Sequence, residues 1–174
     1  MRNMHKMLLF LLLSPVSLLP QHDYPVPTPS TPAQGAPEQE RELAAEVREQ
    51  LEQGIKHVLV SQVEAWNHGD IEGFMNGYWR SPDLTFFSGA TITKGWEPTL
   101  ERYRKNYKSA GKEMGHLEFQ DLDIDVLSRR SAVVTGKWQL TMSDGKTPHG
   151  LFTLTFKRMP TGWKIVHDHT SAAE

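Results

Sequence analysis

The residues with the most chemistry in this chain stand near its end, in "GWKIVHDHTS", Gly162 to Ser171, where His167 and His169 flank Asp168. Strand alternation puts Trp163, Ile165, His167, His169 and Ser171 on one face, and Lys164, Val166, Asp168 and Thr170 on the other. A histidine held among apolar residues is costly to charge, so His167 or His169 is expected to be neutral near pH 7 and available as a base. Proton abstraction next to a carbonyl, or hydration and dehydration, needs such a base with an acid or oxyanion donor in hydrogen-bond reach. Tyr78 and Tyr103 are the expected donors. By parity Asp168 is expected to point away and take no catalytic part. The plainer alternative is that one histidine caps the strand end and hydrogen-bonds a helix, since buried polar groups are normally satisfied.

Around these residues the aromatic side chains form a pattern of their own. Trp138 and Phe152, with Leu154 and Phe156, are expected to line a concave sheet face beside the histidines. Trp66, Phe74, Tyr78, Trp96, Tyr103 and Tyr107 would close the space from the helices. An apolar cup with a few polar tips is how small-molecule sites are built, although any one aromatic could simply fill the core. Histidines two apart on a strand could also share a metal ion. A third ligand would have to come from His116, His149 or Glu118, at no diagnostic spacing, so no metal is expected, and no cofactor is implied. Asp121, Asp123 and Asp125 share one face of "DLDIDV" opposite Leu122, Ile124 and Val126, which reads as a solvated strand face that deters edge pairing, without the turn and glycine spacing of a calcium loop.

Three helical segments precede the strands that must carry this site. Ala44, Val47, Leu51, Ile55, Val58, Leu59 and Trp66 recur at helical spacing from Glu38 to "WNHGD", with Gly54 as a candidate kink. Gly69 ends that helix, and Asp70 can cap a short one over Ile71 to Tyr78. "DLTFFSG" and "TITKG" read as two short strands around a turn, followed by a helix from Trp96 to Lys108 with Pro98 in its first turn. Leu117–Leu127, Ala132–Met142, Gly150–Arg158 and Trp163–Thr170 are long alternating runs separated by turn residues, the pattern of an antiparallel meander. A change of apolar parity between Phe119 and Leu122 predicts a β-bulge. Helices first and a bent sheet after make an α+β domain over residues 38–174.

Composition narrows the function classes. The 174 residues carry a formal net charge of −2 and 38% hydrophobic residues, with no basic tract to favour nucleic acid. There is no cysteine, which removes disulfides, thiol catalysis and thiolate metal sites. Residues 1–20, with Arg2 and Lys6 ahead of an apolar run from Met7 to Leu13, have the order of a secretory signal, and the run is shorter than the about 20 residues a membrane span needs. An uncleaved N-terminal anchor is the alternative. Residues 21–37 are rich in proline, serine and threonine and read as an extended linker. The expected protein is therefore exported, periplasmic or secreted, and free of the membrane once its signal is removed.

"AWNHGDIEGFMNGYW", "ERYRKNY" and "GLFTLTFKRMPTGWKIVHDHTS", in that order, resemble the SnoaL-like branch of the nuclear transport factor 2-like superfamily, over about Glu40 to Ser171. The resemblance implies a cone-shaped α+β fold with helices packed on a strongly bent antiparallel sheet, a pocket between them, and dimerisation through the sheet. That superfamily includes ketosteroid isomerase, scytalone dehydratase, limonene epoxide hydrolase, polyketide cyclases and binding proteins without a reaction, so the fold alone does not choose an activity. The resulting expectation is a domain that binds a small, largely apolar organic molecule. The alternatives are a cofactor-independent isomerase, dehydratase or cyclase using a pocket histidine, and a dimerising scaffold.

Overall fold

A computed structural model of the chain describes residues 37–109 and 112–173. The expected signal and, apart from Pro37, the expected linker lie outside the described residues. No described helix is long and apolar enough to cross a membrane.

Helix α1 (Glu38–Asn67) buries Leu51, Ile55, Leu59, Gln62 and Trp66, the three- and four-residue spacing that keeps one stripe on a core. Before Leu51 its residues are exposed or, at Val47, half-buried, so only the second half of the helix is anchored. The helix runs unbroken through Gly54. A Cβ there would lie 3.0 Å from Trp163 Cδ1, so the glycine serves close packing against the last strand. At the far end the Asn67 amide clamps the start of β3: Leu117 N donates to Asn67 Oδ1 at 2.7 Å, and Asn67 Nδ2 donates to Leu117 O at 3.1 Å.

Asp70 caps α2 (Ile71–Met75) by accepting from Gly73 N at 2.8 Å, as its position predicts. The helix is shorter than its expected extent to Tyr78, because the following residues pair with a strand instead. Ile165 N donates to Gly77 O and Trp79 N to Ile165 O, both at 2.9 Å, and Tyr78 forms a bridge with Ile165. That bridge sets Tyr78 beside the last strand. Strands β1 (Thr85–Ser88) and β2 (Thr91–Lys94) form a hairpin, and α3 (Trp96–Tyr107) follows.

The remaining strands, β3 (His116–Ser128), β4 (Ser131–Thr141), β5 (His149–Met159) and β6 (Gly162–Thr170), form the expected antiparallel meander. The sheet as a whole is mixed, in the order β2-β1-β6-β5-β4-β3, because β1 lies parallel to β6 from Thr85↔His167 to Ser88↔Thr170. This corrects the all-antiparallel expectation. Alternation marks a strand and its buried face but carries no information on which strand covers the free edge of β6.

Three register shifts interrupt the ladders, one of them between Val126 and Ser128 at the β3–β4 tip. In β3 the register shifts between Gln120 and Asp123, where Asp121 has φ 51°, the bulge that the parity change predicts. Another shift falls between β5 and β6: Phe156 pairs with Ile165 and Thr155 with His167, leaving Val166 as an extra residue. Forward alternation from Trp163 does not anticipate it. One core unites the described elements, with Ile55, Met75, Leu84, Val134, Phe156 and Ile165 almost or completely shielded from water.

Candidate functional site

The bulge at Val166 decides which side chains of β6 face the helices. Trp163 and Ile165 point inward, and beyond the extra residue the inward positions are Asp168 and Thr170. His167 and His169 are turned to the opposite face. There they stand edge-on to Phe87 at 4.9 and 6.0 Å, and His167 Nδ1 shares a 2.6 Å hydrogen bond with Thr85 Oγ1. The expectation that the histidines floor the pocket and that Asp168 points away is thereby reversed. Partial burial, and then the neighbouring His169, lower the His167 pKa, but its ring is not on the pocket side.

Asp168 is 3% exposed, on the floor of a cavity of about 200 Å³. Its Oδ2 accepts from the Tyr78 hydroxyl at 2.7 Å and its Oδ1 from the Thr170 hydroxyl at 2.6 Å. Burial raises its pKa to about 6, and the two hydrogen bonds only partly oppose that rise. Tyr103 interacts with the Tyr78 hydroxyl, and burial together with the Asp168 charge pushes both phenols far above their ordinary range. Both tyrosines therefore remain neutral donors at any physiological pH.

Aromatic rings form most of the wall, with Leu117, Leu140 and Leu154 between them. Trp66 meets Phe74 at 5.2 Å and Tyr107 at 4.7 Å, both edge-on, and Phe86 stacks on Tyr103 at 5.6 Å. Phe119 and Phe152 pack edge-on at 5.1 Å from the strand side. Such edge-on and offset contacts suit the ring quadrupoles and fix the wall's shape. Polar side chains in the wall include Gln62, Ser88, Arg102 and Asn106. Gln62 Nε2 donates to Phe74 O at 3.1 Å, and the Arg102 guanidinium lies 5.0 Å above the Phe86 ring.

The segment after β6 covers part of the cavity. Ser171 N donates to Leu151 O and Ala173 N to His149 O, both at 2.9 Å, while Trp138 Nε1 donates to Ser171 O at 2.9 Å. Gly150 permits this approach, since a Cβ on it would come within 1.9 Å of Ser171 O.

Residues 55–174 match the family model of the SnoaL-like domain. The chain belongs to that family. An NTF-2 like protein of unknown function from Shewanella oneidensis is 38% identical over 68% of this chain and 97% of its own, with a TM-score of 0.64. Two more distant structures share the fold: a cystatin-like protein of unknown function from Nostoc punctiforme (9% identity, 70% and 90% coverage, TM-score 0.58) and a nuclear transport factor 2-like superfamily protein from Salmonella enterica (20% identity, 75% and 94% coverage, TM-score 0.53). No curated protein matches the chain.

Within this SnoaL-like domain the structure places Trp66, Phe74, Tyr78, Tyr103, Tyr107, Trp138 and Phe152 around one cavity. It does not bring Trp96 there. That indole is buried behind α2, donating from Nε1 to Met75 O at 2.9 Å with the Arg80 guanidinium 4.5 Å above it, so it anchors α3 to α2. Among the described residues no group of three or more histidines and carboxylates is placed to hold a metal. Asp168, Thr170 and Phe86 are among the cavity residues that sequence reasoning missed, as are Gln62, Arg102 and Phe119. The available signal was the opposite parity of Asp168 and Thr170 to Ile165, which becomes an inward parity once a single residue is inserted.

Proposed function

We propose that this SnoaL-like domain binds a small, largely apolar organic molecule in the aromatic cavity, with Asp168 as its polar anchor. The observation that carries the reading is one carboxyl, almost fully buried on the floor of a largely apolar space and held by Tyr78 and Thr170. At about 200 Å³ the cavity is below the about 300 Å³ at which ligand pockets usually start, so the ligand is compact or extends past Ser171 and Ala172. A thermal-shift series with small aromatic, terpenoid, steroid-like and carboxylate compounds tests this. Stabilisation of the parent that Asp168→Asn or Trp66→Ala reduces, and His169→Ala leaves intact, supports the reading. Stabilisation that His169→Ala abolishes while Asp168→Asn does not would place the ligand on the outer sheet face and overturn it.

A second reading is favoured by the raised pKa of the same group. A carboxyl that titrates near 6 serves as a proton acceptor or donor close to neutral pH, with a neutral Tyr103 or Tyr78 available to steady developing negative charge on an oxygen. Enolisation beside a carbonyl, or dehydration, is the corresponding reaction class. For any compound that is turned over, Asp168→Asn is expected to lower kcat by about 10²- to 10⁴-fold.

We further propose dimerisation through the outer sheet face, where Leu151 is 57% exposed. Sedimentation of the parent as a dimer and of Leu151→Glu as a monomer is the expected result. Export rests on residues 1–20 alone, and cell fractionation tests it.

A further inference from the structure

A second concavity is more spacious than the aromatic one. A groove of about 650 Å³ runs between the middle of α1 and the tips of the two long hairpins, β3–β4 and β5–β6. Its charged lining is of one sign. Arg129 from the first tip, and Arg158 and Lys164 from the second, border it, and no carboxylate does. This is unusual on a chain of net charge −2 and next to a helix rich in glutamate. The residues that α1 turns toward the groove are Val47, Leu51 and Val58 with Gln50, Gly54, His57, Ser61 and Gln62, which leaves Glu46, Glu49, Glu52 and Glu64 on its other faces.

Neither arginine has an acidic partner among the described residues, and both are exposed. Lys164 is steered to the groove by donating to Asn76 O at 2.6 Å, which leaves its charge uncompensated. A second donor is also waiting. Trp163 is 5% exposed and wedged against Gly54, yet its indole N–H has no hydrogen-bond partner among the described residues and is open to the groove. Every other deeply buried indole of the domain is satisfied, Trp66 by Gly115 O and Trp96 by Met75 O. An accessible indole donor beside three cations that lack acidic partners suits a ligand rich in oxyanions.

We propose that this groove is a second binding site, for a compact polyanion: a small molecule carrying several oxyanion charges, either phosphoryl or carboxylate. The guanidinium groups fit either kind of oxyanion, Lys164 adds a point charge, and Trp163 supplies a directional donor. Nothing in this inference depends on what the aromatic cavity binds.

Pyrophosphate and citrate are titrated separately into the full chain by calorimetry, with tryptophan fluorescence followed in parallel and sodium chloride at matched ionic strength as the control. Saturable binding of at least one of them is expected, and the tighter one identifies the oxyanion. Arg129→Ala with Arg158→Ala should weaken it at least tenfold, while Lys105→Ala, a surface cation on α3 outside the groove, should leave it unchanged. Because both arginine side chains are exposed, their replacement leaves the core intact. Absence of saturable binding by both anions overturns the proposal. So does equal weakening by Lys105→Ala, which would reduce the effect to general surface charge.

Discussion

Asp168 is the residue on which the chemistry of the pocket turns. Its pKa in the folded state, about 6, is above the ordinary carboxylate value, so the folded protein holds the proton more tightly than the unfolded chain does. The contribution of this group to stability is therefore complete below about pH 4 and is lost as pH rises through 6. The loss amounts to about 3 kcal/mol. Denaturant unfolding at pH 5 and pH 8 should show Asp168→Asn gaining on the parent at the higher pH by roughly half that amount, since the unfolded carboxyl is already ionised at pH 5; equal differences at the two pH values would contradict the assignment. His167 acts in the opposite sense, since its lowered pKa costs stability as pH falls, and comparing variant with parent removes that background. Tyr78→Phe should raise the Asp168 pKa further by removing one of its two donors, and should destabilise by about 1–3 kcal/mol at neutral pH. A carboxyl NMR titration reads the first effect and denaturant unfolding the second.

At the scale of elements, the sequence was legible wherever a periodicity ran without interruption. The buried stripe of α1, the cap at Asp70, the four long strands and the bulge near Asp121 all follow from spacing and turn residues. Reading failed where a tertiary partner decided the outcome. Tyr78 left its helix to bridge Ile165, and β1 came to lie parallel to β6, pairings that no local pattern encodes. Trp96 was aromatic and at a plausible spacing for the pocket, but the Met75 carbonyl at the end of α2 took its indole. The segment after β6 belongs to this scale too. Gly150→Ala would set a Cβ against the Ser171 carbonyl and should free that segment from β5, measurable as faster amide exchange at Ser171 and Ala173. Unchanged exchange there would mean that the Trp138 bond alone holds it.

Over the whole molecule, a single core cluster links α1, α2, α3 and all four long strands. Such a unit should unfold in one cooperative step. Phe156→Ala, at a fully buried site between helices and sheet, should lower stability by about 3–5 kcal/mol while keeping that single transition, followed by circular dichroism and tryptophan fluorescence together. Divergence of the two signals would show that the hairpin tips and the aromatic cavity unfold separately. Gln62 borders both concavities, so one buried amide is shared by the aromatic cavity and the cationic groove.

The extra residue in β6 also governs how this chain can be compared with its relatives. Laid without a gap against a homologue that lacks the insertion, His167 and His169 would occupy the columns of inward-facing residues, and Asp168 would fall in an outward one. A histidine would then be inherited on paper as the pocket residue of a protein whose pocket holds a carboxyl. Counting back from Thr170, whose hydroxyl touches Asp168, gives the correct correspondence; counting forward from Trp163 does not.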